Sequence, residues 1–222
     1  MGKAKRRSRQ ASGFTTILWF LAFIACTFVA LRGWLDPLNL SLSQLLRPLA
    51  RAVPDLNLIW VVGSVPVTAA LLLLWVWSKG RWRQLWLFAG GVLLEVITKH
   101  FVASPLPHPL GEPSWIGRLE GWVNPSPQWV ITAIKQRLGM VAATGSGAQF
   151  FRGSFFSGHV FRLTYLTGAL AGIGRPGLLV LVGLVAGILV VALGGHWALD
   201  ALGGFCLARA LLGADSYFRR KR

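Results

Sequence analysis

The sequence predicts an all-α protein, a polytopic membrane helical bundle of about six transmembrane helices forming a single integral membrane domain over residues 1–222. Three observations predict it. Hydrophobic residues make up 54% of the chain and charged residues 14%, against the ~25% charge usual in soluble domains. The apolar residues gather into runs near the roughly 20 residues a helix needs to cross a hydrocarbon core. The basic residues fall mainly between those runs, on alternate sides. This much apolar surface also excludes a disordered chain. Cys26 and Cys206 both lie in apolar stretches, so neither a disulfide framework nor a Cys-type zinc site is expected.

The runs can be taken in order. Residues 14–31, 56–78 and 176–199 carry no Asp, Glu, Lys or Arg. Three more are punctuated: 84–103 holds Glu95 and Lys99, 154–172 holds His159 and Arg162, and 196–213 holds Asp200 and Arg209. The first run follows a basic stretch, as a signal peptide would, but it is long and no small-residue cleavage site follows cleanly. It is therefore expected to be a span.

Orientation follows from the charges. Lys plus Arg total 23 and Asp plus Glu total 7, a formal charge of +16. An inside N-terminus gives residues 1–13 a basic cytoplasmic tail (Lys3, Lys5, Arg6, Arg7 and Arg9). The same side then holds Lys79, Arg81, Arg83, Arg175 and 219–222, as the positive-inside rule requires. The expected location is a plasma or inner membrane, both termini cytoplasmic, with anionic lipid headgroups against the inner face. The positive charge is thereby accounted for without nucleic acid. No internal repeat suggests an inverted-repeat transporter.

Residues 32–55 and 104–153 then lie outside. The longer segment is rich in Pro and Trp, including Trp115, Trp122 and Trp129, and Trp favours the interface. Residues 129–140 can form an amphipathic helix with Lys135 and Arg137 on its polar side. The segment reads either as a cap on the bilayer surface or as a lid for a lipid headgroup.

Ionisable groups inside spans are costly and tend to mark function. Glu95 and Lys99 are four apart on one helix face, and the simplest role for such a pair is mutual neutralisation. Lys99 lies about 15 residues, some 22 Å, into its span, near the outer end, where an ammonium could meet a headgroup. Ser154-Phe155-Phe156-Ser157-Gly158-His159 opens another span, and a small-residue turn at a helix N-terminus suits phosphate; a His in such a turn is also commonly structural. His196 and Asp200 are again four apart, so the carboxylate can hold one imidazole nitrogen and leave the other nucleophilic. From His159 the chain crosses inward, then outward to His196. Lys99, His159 and His196 therefore end at one depth.

This pattern resembles the type-2 phosphatidic acid phosphatase superfamily of membrane enzymes. Its signature runs Lys-x6-Arg-Pro, then Pro-Ser-Gly-His, then Ser-Arg-x5-His-x3-Asp. Here Lys99 is followed by Leu106-Pro107, the second part is Phe156-Ser157-Gly158-His159, and the third is Leu189-Val190 followed by His196 and Asp200. The resemblance covers a catalytic core of residues 84–213, with both signature arginines missing. It implies that His196 attacks phosphorus to form a phosphohistidine, oriented by Asp200, and that His159 protonates the leaving alkoxide. Lys99 and the backbone at Ser157 and Gly158 would bind the phosphoryl oxygens.

Phosphoryl transfer needs positioning, an acid and charge stabilisation, which these residue types supply. No metal or cofactor is expected, since no carboxylate cluster is present to hold a metal ion. Arg152, Arg162 and Arg118 could stand in for the lost arginines, Arg152 and Arg162 being favoured by their places beside the Ser-Gly-His turn. The alternatives are headgroup contact for Arg152 and an internal ion pair for Arg162. His100 and His108 could also contribute.

The expected function is thus a metal-independent membrane phosphatase for a phosphorylated lipid such as phosphatidate or a prenyl diphosphate, acting at the outer face. The turn Phe155-Phe156-Ser157-Gly158-His159 is also similar to that of the sphingomyelin synthase-like phosphotransferases, which implies headgroup transfer to an acceptor alcohol. A third reading is a non-catalytic lipid-binding or transport protein on the same scaffold.

Overall fold

The computed structural model describes residues 2–53, 56, 58–102, 154–172 and 175–219. Residues 104–153, with Pro107, His108, Arg118, Arg152 and the stretch 129–140 expected to be an amphipathic helix, lie outside the described residues.

Eight helices, and no strands, form among the described residues: α1 Gly2–Arg32, α2 Asp36–Ala52, α3 Leu58–Val62, α4 Val65–Lys79, α5 Trp82–Phe101, α6 Gly158–Ala171, α7 Pro176–Ala192 and α8 Ala198–Arg219. The expected all-α bundle is present, while the element count and several boundaries differ from the six runs. Residues 13–32 of α1 are long and apolar enough to cross a membrane. Helices α4 and α7 are apolar and shorter.

Two differences have clear physical causes. The run 56–78 is two helices because Gly63 and Ser64 interrupt it. The Ser64 side chain caps α4 by accepting from the Val67 N–H at 3.4 Å, with Pro66 in the first turn, a combination that starts a helix. The run 176–199 stops at Ala192 because Gly194 turns with φ 71°, a backbone that glycine adopts at little cost. The segment 196–213 begins helically at Ala198 and continues to Arg219.

Helix α2, in a segment expected only to lie outside, has an informative polarity. It buries Asn39, Ser43 and Ala50 and exposes Leu38, Leu45 and Leu49. A leucine-bearing outer face is unfavourable in water and favourable against acyl chains. The same holds elsewhere: Leu74, Trp77, Trp86 and Phe101 are each more than 70% exposed. With the apolar span of α1, this surface marks a membrane protein.

Inside, α1 packs along α8, with Trp19 edge-on to Phe205 at 5.6 Å. Phe23 reaches Phe155 and Phe156, and these join Phe161, Phe88 and Tyr165 in the core. At one end of the bundle, buried Asp215 binds Arg83 (2.7 Å), Gln84 (2.9 Å) and Arg219 (2.8 Å), tying α5 to α8. The hydroxyl of Tyr165 donates to the Gln84 carbonyl at 2.8 Å and adds α6. The titratable groups of interest lie at the other end.

Candidate active site

The α7–α8 connection positions His196. Its N–H and that of Gly195 both donate to the Val190 carbonyl, at 3.3 and 3.1 Å. A Cβ at Gly195 would run into the Trp60 ring, so the turn is open only to glycine. One turn on, the buried Asp200 carboxylate accepts from the Trp197 N–H at 2.9 Å. The same oxygen, Oδ2, is 3.5 Å from His196 Nδ1. That is long for a hydrogen bond, although such contacts often tighten only when substrate is bound. His196 lies outside both flanking helices. Burial pushes its imidazole below the usual range, Asp200 opposes that shift, and the Lys99 charge adds to it.

His159 enters on α6. Ser157 caps this helix, accepting from the Val160 N–H at 3.5 Å, so its hydroxyl serves the helix start. Backbone joins the two histidine-bearing elements: the Ser157 N–H donates to the Asp200 carbonyl at 2.9 Å. Gly204 lets α8 approach, since a Cβ there would meet the Ser157 carbonyl. The His159 and His196 ring centroids are 6.4 Å apart. Both rings are buried, and Trp60 stands beside them at 4.7 and 6.4 Å. Nε2 of His159 lies 3.3 Å from the Trp60 carbonyl, while its Nδ1 is buried without a hydrogen-bond partner among the described residues.

The cations centre on Glu95. Lys99 Nζ is 2.7 Å from its Oε1, the i,i+4 pair that the spacing predicts. Arg162 Nη1 binds Oε2, and Arg162 Nε donates to the Gly63 carbonyl at 2.6 Å. Arg162 thus makes the internal ion pair. The break between α3 and α4 leaves the Gly63 carbonyl outside a helical ladder and available to it. Gly158 faces the Glu95 carboxylate closely enough that a Cβ would overlap it.

The structure therefore brings together Lys99, Gly158, His159, Arg162, His196 and Asp200 from three separate stretches of chain, and Arg152 lies outside the described residues. The positions where the signature has Ser-Arg, Leu189 and Val190, are part of an apolar cluster, with Val190 fully buried. Sequence reasoning missed Trp60, Gly63 and Asn39. The signal for the first two was Gly63-Ser64-Val65-Pro66, a helix stop followed by a cap and proline. Asn39 accepts from the Leu199 N–H at 3.3 Å, bracing α8 from α2; no local pattern announces such a tertiary contact. Among the described residues no group of three His, Cys, Asp or Glu could hold a metal ion.

No protein-family profile matches the sequence, and no curated protein matches it. A solved structure does: a transmembrane PAP2-type phosphatidylglycerolphosphate phosphatase from Bacillus subtilis. It is 18% identical, with a TM-score of 0.58, over 94% of this chain and 97% of that one. The chain shares the fold of that membrane phosphatase.

Proposed function

We propose that the protein is a membrane lipid-phosphate phosphatase working through a phosphohistidine at His196. The single observation that carries this reading is the placement of the His159 and His196 rings 6.4 Å apart, with Asp200 behind His196. Two imidazoles whose ring centres are this close can flank one phosphoryl group, an attacking nitrogen on one side and a proton donor on the other. The fold shared with the Bacillus phosphatase supports the reading.

Asp200 holds Nδ1–H of His196, so Nε2 carries the lone pair that attacks phosphorus as the P–O bond to the lipid breaks. His159 takes up a proton as the phosphate anion binds, keeps Nε2–H on the Trp60 carbonyl and gives the Nδ1 proton to the departing alkoxide. Water then attacks the phosphohistidine, its proton returns to His159, and inorganic phosphate leaves. Lys99, with the Ser157–Gly158 end of α6, stabilises the equatorial oxygens. On this reading residues 84–213 are the catalytic core, 104–153 an interfacial cap and 1–13 a cytoplasmic tail. The site then opens to the outer or periplasmic face, and the basic segments meet anionic lipid on the inner one.

One observation favours a second reading, headgroup transfer. Lys99, Glu95 and Arg162 together carry a net charge of +1, which suits a phosphodiester monoanion better than a dianionic monoester.

The test is a panel of phosphomonoester, diphosphate and phosphodiester lipids turned over by purified protein in chelator, with phosphate release and acceptor-dependent transfer read in parallel. The first reading predicts acceptor-independent phosphate release that falls at least about a thousandfold in His196→Ala. Transfer that requires an added alcohol selects the second reading. Full activity in His196→Ala removes His196 as nucleophile.

A further inference from the structure

Every cation among the described residues that the signature resemblance or its replacements bring to this site touches one carboxylate. Glu95 takes Lys99 on Oε1 and Arg162 on Oε2. Arg162 is pinned on its far side by the Gly63 carbonyl at 2.6 Å, and the carboxylate lies against Gly158. Side-chain exposure rises along the series, from 4% for Arg162 to 9% for Glu95 and 17% for Lys99. The series therefore runs from the packed interior towards a more exposed end. An ion pair needed only to neutralise Arg162 would be complete with Glu95 alone. The second oxygen of Glu95 instead holds the Lys99 ammonium at 2.7 Å.

Resting on the phosphoryl-transfer reading, we infer that Glu95 is a positioning residue for phosphate binding. Anchored by Arg162 and the Gly63 carbonyl and fitted against Gly158, it holds the Lys99 ammonium towards the phosphoryl oxygens. Arg162 acts through Glu95 and does not itself touch phosphate. The signature lysine is in this way braced in a chain that lacks both signature arginines. The glycine at 158 is required because a side chain there would displace the brace.

The test uses orthovanadate, a phosphate mimic, as a competitive inhibitor of the full-length purified protein, with KM and kcat for the best lipid phosphate. Glu95→Gln alone leaves Arg162 buried and unpaired, so the primary variant is Glu95→Gln/Arg162→Met, which removes both charges at similar volume. It is expected to melt within a few degrees of wild type. Its vanadate Ki and its KM should each rise about tenfold, the loss of one charge-assisted contact, with kcat within about twofold. Lys99→Gln should show the same rise, and the triple variant should be no worse than Lys99→Gln. Glu95→Asp should recover part of the affinity.

A double variant with wild-type Ki, or a triple variant a further tenfold weaker than Lys99→Gln, overturns the inference while the wild type still turns over. A wild type that neither turns over lipid phosphates nor binds vanadate overturns the phosphoryl-transfer reading itself.

Discussion

At the scale of single residues, the proposed mechanism turns on the protonation of His196. A nucleophilic imidazole must be neutral, and burial keeps this one neutral at a lower pH than an exposed histidine, with Asp200 pulling the other way. As pH falls, the nucleophile is lost only when the depressed pKa is crossed. The acid limb of kcat/KM is therefore expected below the ordinary histidine value of about 6.5. Asp200→Asn removes an opposing influence and should move that limb further down, while lowering the rate because the tautomer is no longer held. A pH–rate profile of both proteins checks this, and an acid limb above about 6.5 would contradict it.

Elements matter here because the two histidines sit at helix starts, so the bracing of those starts sets their geometry. Asn39 on α2 accepts from the Leu199 N–H in the first turn of α8. Asn39→Ala should cost about 1 kcal/mol, seen as a fall of about 2–4 °C in the melting temperature of the purified protein. An unchanged melting temperature would show that α2 does not brace α8.

Much of this level was legible in the sequence. The Glu95–Lys99 spacing foretold a pair on one helix face, and the structure has it; the His196–Asp200 spacing foretold another, but His196 precedes α8 and its Nδ1 stands 3.5 Å from the carboxylate. The Ser-Gly-His turn foretold a helix start, and α6 begins at Gly158, with Ser157 as a cap that the turn alone did not announce. The division of 56–78 was not foreseen because hydropathy averages over Gly63-Ser64, where local backbone preference decides. Helix α2 was not foreseen because Leu38, Leu45 and Leu49 are exposed while Asn39 and Ser43 are buried, the reverse of the pattern sought in a soluble helix. The partnership of Arg162 with Glu95 joins residues 67 apart in sequence, and no periodicity encodes such a contact.

For the whole molecule, the bundle separates two jobs by end. One end is fastened by Asp215 to Arg83, Gln84 and Arg219. The other gathers the histidines and the Lys99–Glu95–Arg162 series. A lipid-facing surface holds both in the bilayer, and the fold is shared with a membrane phosphatase of Bacillus subtilis.

The central claim is that a phosphoryl group passes through His196. Rapid quenching of the protein with a lipid phosphate labelled at phosphorus, followed by peptide mapping, tests it most directly. The account predicts an acid-labile, base-stable phosphoramidate on His196 that hydroxylamine discharges and that is absent from His196→Ala. Turnover accompanied by label on a different residue would contradict it.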